Sequence, residues 1–226
     1  MSIDARLTDQ TRKRYDRMAP IYDGSEAVME RFLYSRWRRR LWSGVKGPDV
    51  LDVGVGTGKN IPYYSHGVHV TAIDLSERML SRARKRANSL GVNVDLRQMD
   101  VQALAFPAAS FDAIVASFVF CSVPDPVAGL RELGRVCKTE GEIRLLEHMR
   151  ARSELAGRLM DIINPIAVRI QGANINRRTI GNIEHAGLPI ERVEDLSAQS
   201  IFRLIVARSP LTQSTVPQQA LQKLDT

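Results

Sequence analysis

The chain has 226 residues, and 32 Lys and Arg residues against 25 Asp and Glu residues give it a net charge of +7. Hydrophobic residues at 44% and charged residues at 25% match one ordinary folded domain and exclude a disordered chain. The longest apolar run, 113–121, is far shorter than the roughly 18 residues needed to span a bilayer.

Cysteine usage and the first residues bear on the cellular compartment. The two cysteines, Cys121 and Cys137, form neither a CxxC pair nor a disulfide framework. We find no zinc signature and expect no metal. Residues 1–6 lack the apolar core of a signal peptide, so we expect a cytoplasmic protein. The basic balance leaves nucleic acid, an anionic membrane surface or acidic substrates as partners.

The predicted elements change character after residue 48. Residues 1–48 are predicted to be helical and strongly charged. Strands are then predicted at 50–53, 68–73, 92–99, 111–118 and 142–146. Helices are predicted at 76–90, between an N-cap at Ser76 and a stop at Gly91, and at 125–137, with Pro126 in its first turn. Strands that alternate with helices indicate an α/β fold with a doubly wound parallel sheet.

The region after residue 150 reads differently. A helix is predicted at 154–171, kinked at Pro165, and one side of it is apolar: Leu155, Leu159, Ile162, Ile163, Ile166 and Ile170. A further helix at 178–186 ends at Gly187, and strands at 190–196 and 201–207 form a final pair. From Ser209 the tail is rich in Gln, Ser, Thr and Pro, and we expect it to be loose.

A glycine-rich turn carries the clearest chemical signal. Gly54, Gly56 and Gly58 follow the first strand directly, and Asp52 precedes them. This GxGxG spacing differs from the GxGxxG of dinucleotide sites. A carboxylate at that place repels a pyrophosphate and attracts a cation. S-adenosylmethionine carries an ammonium and a sulfonium and no phosphate, so the negative charge of Asp52 favours this cofactor. The alternative is that the glycine-rich turn has some other role.

Acidic residues end the next two strands as well. Asp74 lies 20 positions after Gly54, where a carboxylate can accept both ribose hydroxyls, as it also does for NAD. Asp100 can accept the adenine amino group while Val101 packs on the ring. A single Asp at a strand end is usually only a cap, but three such acids at successive strands favour a cofactor site.

With these motifs the sequence resembles the class I S-adenosylmethionine-dependent methyltransferases over about residues 49–148. The matching segments are 50–58, 72–76, 99–101, 111–114 and 133–147. The resemblance implies a Rossmann-like three-layer sandwich with a seven-stranded, mostly parallel sheet and N-terminal helices. One departure is Lys-Thr-Glu-Gly at 138–141, where the family usually has Pro-Gly-Gly. The residues expected to bind the cofactor are Asp52, Gly54, Gly56, Gly58, Asn60, Asp74, Leu75, Met79, Asp100, Val101, Ser117 and Phe118.

Two further resemblances concern the substrate. Residues 14–23 are similar to an N-terminal segment of methyltransferases that act on quinones and phospholipids, which implies that Tyr15 and Tyr22 lie near the sulfonium; otherwise they pack a helix on the core. Segments 120–125, 145–148, 164–165 and 172–179 resemble bacterial phosphatidylethanolamine N-methyltransferases, although thiol methyltransferases of eukaryotic membranes have similar ones. His148, after strand five, is a candidate catalytic residue or merely a satisfied polar one.

Physical features agree with a lipid substrate. Segment 25–42 mixes apolar and basic residues as an interfacial helix does, and the expected membrane contacts are Arg31, Trp37, Arg38, Arg39 and Trp42. Alternatively, this helix docks on the sheet with a solvated basic face. The apolar helix near 162–170 either covers acyl chains, enters the interface or belongs to the core. Arg177 and Arg178 are expected to bind the lipid phosphate unless they are idle surface residues.

The sequence therefore predicts stepwise N-methylation of phosphatidylethanolamine by a monomer associated peripherally with the inner face of the membrane. The expected organisation is a helical cap at 1–48, a methyltransferase domain at 49–208 with a substrate-side insertion at 151–178, and a tail at 209–226. Rival functions are a quinone-precursor C-methyltransferase and a small-molecule thiol or amine methyltransferase. The intact acidic motifs argue against a membrane-binding protein with a vestigial site. The absence of RNA-reading motifs from the sequence argues against an RNA-binding protein.

Overall fold

The computed structural model of the protein describes residues 5–171 and 173–210. The N-terminal region is helical, as predicted. Helix α1, Ala5–Met29, continues into a π-helical turn, Glu30–Tyr34, and then into α2, Ser35–Trp42. Most of the predicted loose tail, from residue 211 onward, lies outside the described residues.

The centre of the molecule is a seven-stranded sheet. Its strands are β1 Asp49–Val53, β2 His69–Asp74, β3 Asp95–Gln98, β4 Phe111–Ser117, β5 Cys137–His148, β6 Ile190–Asp195 and β7 Phe202–Arg208. The spatial order is β3-β2-β1-β4-β5-β7-β6, and only β7 runs antiparallel to its neighbours. This arrangement confirms the predicted Rossmann-like class I methyltransferase fold.

Local signals place the helices that follow the strands. Helix α3, Glu77–Leu90, begins where the Ser76 hydroxyl accepts a hydrogen bond from the Met79 N–H, and it ends at Gly91, whose φ is +64°. Helix α4, Pro126–Val136, begins the same way at Asp125. Helices α5, Glu154–Gln171, and α6, Thr179–His185, connect β5 to β6.

Both faces of the sheet are covered, which makes three layers. Alternate residues of one strand serve opposite faces: Leu51 packs under α4 and α6, whereas Val50 packs under α2 and α3. Strand β5 is longer than the predicted 142–146, because it begins at Cys137 beside Phe111 and resumes pairing after a register shift.

The structure corrects part of the predicted membrane contact. Trp37, Arg38 and Trp42 are buried, so these three side chains do not face a membrane. Trp42 is only 1% exposed and stacks on Tyr64 with 4.5 Å between ring centroids. Trp37 packs on Phe202 at 5.0 Å. The alternative interpretation, a helix docked on the sheet, is therefore the right one for α2. Arg31 and Arg39 are exposed.

Helix α5 has the opposite disposition. Its apolar side is exposed rather than part of the core, with Leu155 at 83% and Ile162 at 73% exposure. The helix makes few contacts with other helices or strands and continues through Pro165 as a single element. Its anchors are polar: Arg150 pairs with Asp161, and the Asn164 carbonyl accepts the Ile175 N–H at 2.9 Å. None of the described helices is both long and apolar enough to cross a membrane.

Candidate active site

A cavity with about 710 Å³ of empty space lies between α1 and the carboxyl ends of β1, β2 and β4. In doubly wound sheets, ligands bind at this edge, where the strand order reverses. Nine of the twelve residues expected to bind the cofactor line it: Gly54, Gly56, Asp74, Leu75, Met79, Asp100, Val101, Ser117 and Phe118. Two aspartates and no Lys or Arg are among its described lining residues, so the lining is acidic, while the cations of Arg38 and Lys59 lie behind Phe118 and Tyr22.

The glycines of the turn have three separate roles. Gly54 has φ +65°, and a side chain there would meet Val119 within 2.5 Å. Gly56 has φ +56° and open space where a side chain would point, so its backbone faces the cavity. Gly58 does not line the cavity; a Cβ there would approach Ile61 to 2.6 Å, so this glycine lets the turn pack closely on the neighbouring elements.

Asp74 is fixed at the cavity edge by backbone donors. Its two carboxylate oxygens accept hydrogen bonds from the Ser76 N–H at 2.8 Å and the Gly56 N–H at 2.9 Å. Burial raises the pKa of Asp74 to about 6. These bonds fix the carboxylate at the cavity edge, and they leave its remaining lone pairs for hydroxyl donors.

Asp100 marks the other end of the cavity. It accepts hydrogen bonds from the Gln102 backbone N–H at 2.9 Å and, more weakly, from the Thr8 hydroxyl at 3.4 Å. Val101, next to it, is buried and lines the same end. The position suits a carboxylate that accepts an exocyclic amino group, and it connects the cavity to the first turns of α1.

Asp52 and Asn60 do not line the cavity. Asp52 is fully buried beneath the glycine turn, where it accepts hydrogen bonds from the Asn60 amide at 2.9 Å and the Tyr64 hydroxyl at 2.7 Å. Burial raises the pKa of Asp52 to about 7. The Arg38 guanidinium donates to Asn60 at 2.8 Å and to Ser117 at 2.6 Å. Asp52 thus supports the cavity floor through this network, and its direct contact with a ligand stays a prediction.

Helix α1 covers the cavity and brings both predicted tyrosines, Tyr15 and Tyr22, to its lining. Polar contacts hold the helix down. The Asp16 carboxylate accepts the Ser76 hydroxyl at 2.6 Å, and Asp23 accepts the Thr57 hydroxyl at 2.6 Å. Asp23 also pairs with Arg86 at 2.9 Å.

His148 is not brought to the cavity. Its ring packs edge-on against Phe202, with centroids 4.9 Å apart, and burial lowers its pKa. The neighbouring Glu147 is fully buried instead, and one of its oxygens accepts the Val119 and Phe120 N–H groups at 3.0 and 3.1 Å. His148 therefore contacts an aromatic ring rather than the cavity, and its catalytic role stays a prediction.

The loop after β4 contributes residues that the sequence did not predict to bind the cofactor, although segment 120–125 carries part of the resemblance to phospholipid methyltransferases. Val119, Ser122, Val123 and Pro124 line the cavity, and Phe118 has φ +59°, which is rare for a residue with a large side chain. In the sequence this loop looks like the end of a buried strand. The available signal was its place after a central strand, at the ligand-binding edge of the sheet.

Arg177 and Arg178 lie outside this cavity and line a second one. Arg177 nevertheless reaches the cavity wall, because its Nη2 donates to the Val123 carbonyl at 2.9 Å. The side chain of Arg178 is exposed.

Comparison with known proteins agrees with this geometry. Residues 51–145 match the model of a methyltransferase domain. The chain is 41% identical over 142 residues to a phosphatidylethanolamine N-methyltransferase of Cereibacter sphaeroides, covering 62% of this chain and 68% of that enzyme. It is 35% identical over 150 residues to a demethylmenaquinone methyltransferase of Renibacterium salmoninarum, covering 65% of this chain but only 61% of that enzyme.

A solved structure shares the fold. A SAM-dependent methyltransferase from Aquifex aeolicus superposes with a TM-score of 0.58 at 23% identity, covering 75% of this chain and 86% of that one. The sheet order, the glycine turn with its strand-end acids, the matched domain and the N-methyltransferase relative lead to one conclusion. The chain belongs to the class I S-adenosylmethionine-dependent methyltransferases.

Proposed function

We propose that this enzyme methylates the amino group of phosphatidylethanolamine at a membrane surface, with S-adenosylmethionine as the methyl donor. The observation that carries the proposal is the charge of the cavity, which has two carboxylates and no basic group among its described lining residues. A cationic donor and an amine that becomes cationic both suit such a site. The similarity to the Cereibacter N-methyltransferase supports the same substrate class.

The cavity residues fit S-adenosylmethionine. Asp74 would accept the ribose hydroxyls, Asp100 the adenine amino group, and Val101 would pack on the base. The open face of Gly56 leaves room for the donor against the glycine turn. A pyrophosphate cofactor fits poorly, because no Lys or Arg of the described lining offsets its charge. When bound, S-adenosylmethionine would supply a methyl group on a sulfonium, whose carbon a neutral amine nitrogen could attack in line while the thioether of the cofactor leaves.

The protein's task is then to deliver a neutral amine in the right direction. A primary ammonium has a pKa of about 10 and must lose its proton before it can attack. Apolar lining from the loop after β4, including Val119 and Val123, disfavours the charged form by desolvation. Tyr15 and Tyr22 line the cavity from α1 and are the candidates for holding the amine nitrogen through their phenolic oxygens. Most of the rate gain would come from this positioning.

Two exposed apolar surfaces support work at a membrane. The first is the outer side of α5, and the second is formed by α1 and the π-helical turn, where Phe32 is 70% exposed. Exposed arginines accompany both surfaces, Arg31 and Arg39 near the first helices and Arg158 on α5. Apolar side chains flanked by basic ones are what binding to an anionic bilayer surface requires.

Methylation of a quinone-precursor ring carbon is the second candidate, since a demethylmenaquinone methyltransferase is also similar to this chain. Such a reaction needs a ring hydroxyl to lose its proton, which places negative charge on a ring oxygen before the carbon attacks. The two aspartates of the cavity would oppose that charge, and no described lining residue carries a positive one. The cavity electrostatics therefore favour the amine.

The test is to give the purified protein methyl-labelled S-adenosylmethionine and a total bacterial lipid extract, and to follow the label by mass spectrometry. The proposal predicts label on phosphatidylethanolamine as one to three added methyl groups. Label in the quinone fraction would support the second candidate instead. If the cofactor binds and no lipid carries label, the lipid-substrate proposal is wrong.

A further inference from the structure

The second cavity is basic, whereas the first is acidic. It has about 1070 Å³ of empty space and opens to solvent beside the ends of β5 and β6. Five arginines and one aspartate are among its lining residues: Arg150, Arg152, Arg177, Arg178, Arg203 and Asp195. The arginines come from three separate parts of the chain, the loop after β5, the loop before α6, and β7. The fold thus gathers positive charge that the sequence disperses.

Part of this charge is already neutralised. Arg203 pairs with Asp195 at 2.9 Å, and Arg150 pairs with Asp161 and Glu154, each at 3.1 Å. The side chains of Arg152 and Arg178 make no hydrogen bond or ion pair with the described residues, although Asp161 attracts Arg178 at longer range. Two guanidinium groups at the cavity are therefore available to a ligand.

Two buried donors at the same cavity also lack partners. Thr179 is fully buried and lines the cavity, and its hydroxyl has no hydrogen-bond partner among the described residues. The Nε of Arg177 is buried and unpartnered in the same sense. Buried polar groups are nearly always hydrogen-bonded, so two orphans beside two available arginines indicate a missing acceptor. That acceptor must be anionic to balance the arginines.

The two cavities adjoin at Arg177. This residue lines the basic cavity, while its Nη2 binds the carbonyl of Val123, which lines the acidic one. A ligand that extends from one cavity into the other would place a cation in the acidic cavity and an anion in the basic cavity. An aminoalkyl phosphodiester has this distribution of charge, with a short ethanolamine spacer between its amine and its phosphate.

We propose that the basic cavity binds a phosphate group through Arg152, Arg178 and the Thr179 hydroxyl, with Arg177 at the wall between the cavities. The phosphate is either the phosphodiester of the lipid being methylated or that of a separate phosphate-bearing ligand. The first case rests on the proposed function, and the second does not. Guanidinium forks and a hydroxyl are a common donor set for phosphate oxygens.

Binding in solution tests the proposal without any methyl transfer. Inorganic phosphate and glycerophosphoethanolamine are titrated into the full-length protein by calorimetry. We expect both to bind, and we expect Arg152→Gln/Arg178→Gln to weaken each at least about tenfold. The matched control, Arg84→Gln/Arg97→Gln, removes the same charge from exposed positions on α3 and β3, outside the cavity, and should bind as the wild type does. Equal binding by the two double variants, or no binding of either ligand to the wild type, would overturn the proposal.

A conservative variant guards against misfolding. Thr179→Val keeps the volume of the side chain and removes the orphan hydroxyl, so the fold should be retained. It should weaken phosphate binding several-fold and leave S-adenosylmethionine affinity unchanged. Unchanged phosphate affinity in this variant would remove Thr179 from the site.

Kinetics on phosphatidylethanolamine vesicles identify the source of the phosphate. If it is the substrate's own, Arg152→Gln/Arg178→Gln raises KM for the lipid about tenfold or more, with little change in kcat, and inorganic phosphate competes with the lipid. If it belongs to another ligand, KM is unchanged while phosphate binding is still lost. Absence of lipid methylation together with arginine-dependent phosphate binding would refute the proposed function and leave this site standing.

Discussion

Helices α2 and α5 have similar sequence patterns, but their apolar sides are buried in one helix and exposed in the other. Each has an apolar side and at least two arginines, and the pattern of each is typical of a helix at a membrane surface. In α2 the apolar side, with Trp37 and Trp42, is buried on the sheet. In α5 the apolar side, with Leu155 and Ile162, faces outward. Amphipathic pattern thus predicts that a helix has an apolar partner, but it does not identify the partner.

The difference between them comes from what lies on each side of the helix. An α/β sheet needs cover on both faces, and α2 supplies it beside α3. Helix α5 follows β5, where polar links through Arg150 and Asn164 hold it and its apolar side stays exposed. Its exposed apolar side is therefore the better candidate for membrane contact.

The largest expected effect is the loss of stability when the buried apolar side of α2 is disrupted. Trp42→Ala removes a fully buried indole and should lower the free energy of unfolding by about 3–5 kcal/mol. Urea denaturation measures this directly. Ile162→Ala on α5 is the control and should change stability by less than about 0.5 kcal/mol. Similar losses in both variants would mean that α5 is packed against the core.

The next effect is the loss of vesicle binding when the exposed apolar side of α5 is made polar. Leu159→Ser/Ile162→Ser removes two exposed apolar side chains, each worth about 1.5–3 kcal/mol when buried. Vesicle affinity should therefore fall at least about a hundredfold in co-sedimentation with anionic vesicles. Stability and S-adenosylmethionine affinity should not change. Vesicle binding that survives in this variant and is lost in Phe32→Ser would move the membrane contact to α1.

A pH dependence of ligand binding is expected at the cavity beneath α1, where Asp74 lies. Only the carboxylate form of Asp74 can accept two ribose hydroxyls, and burial raises its pKa to about 6. Ligand affinity should thus be full above pH 6 and decline below it, by at most about tenfold per pH unit. In the absence of ligand the sign is opposite, because the raised pKa makes the folded state bind the proton more readily, and stability falls as pH rises through 6.

Calorimetry across this range checks the assignment. Asp74→Asn should bind S-adenosylmethionine weakly and with a flat pH profile. The α5 double variant should keep the profile of the wild type. A wild-type profile in Asp74→Asn would assign the titration to another group.

The smallest effect is the local loss of stability when the polar contacts that anchor α1 or α5 are weakened. Asp23→Asn weakens the contacts of α1 with Thr57 and Arg86 and should cost about 1 kcal/mol. Hydrogen exchange should then speed up in α1 and not in α5. Asp161→Asn, which loses the contacts with Arg150 and Asn176, should have the reverse effect. Uniform change in both variants would show that the two segments open together.

The sequence predicted the sheet and its helices well, because their signals are local. Ser76 and Gly91 delimit α3 by capping, and alternation of apolar runs marks the strands. The strand-end acids Asp74 and Asp100 lie at the cavity as predicted. The end of a parallel strand can be predicted from the apolar pattern of that strand. Ligands bind at the carboxyl ends of such strands, so acids at those ends are expected at the site.

Side-chain direction could not be predicted in the same way. Both faces of a doubly wound sheet are buried, so the apolar pattern around Asp52 does not say which face its carboxylate serves. His148 faces Phe202 for a similar reason, because its pairing partner comes from β7, far along the chain. The sequence singled out Arg177 and Arg178 of the basic cavity, but not the arginines that join them from the loop after β5 and from β7.

The most direct test of the account measures methyl transfer to phosphatidylethanolamine in anionic vesicles by the wild type and by Leu159→Ser/Ile162→Ser, with S-adenosylmethionine affinity determined for both. The account predicts that the wild type labels the lipid and that the variant binds the cofactor equally well but labels the lipid far more slowly. Absence of label with the wild type, or equal labelling by both proteins, would contradict it.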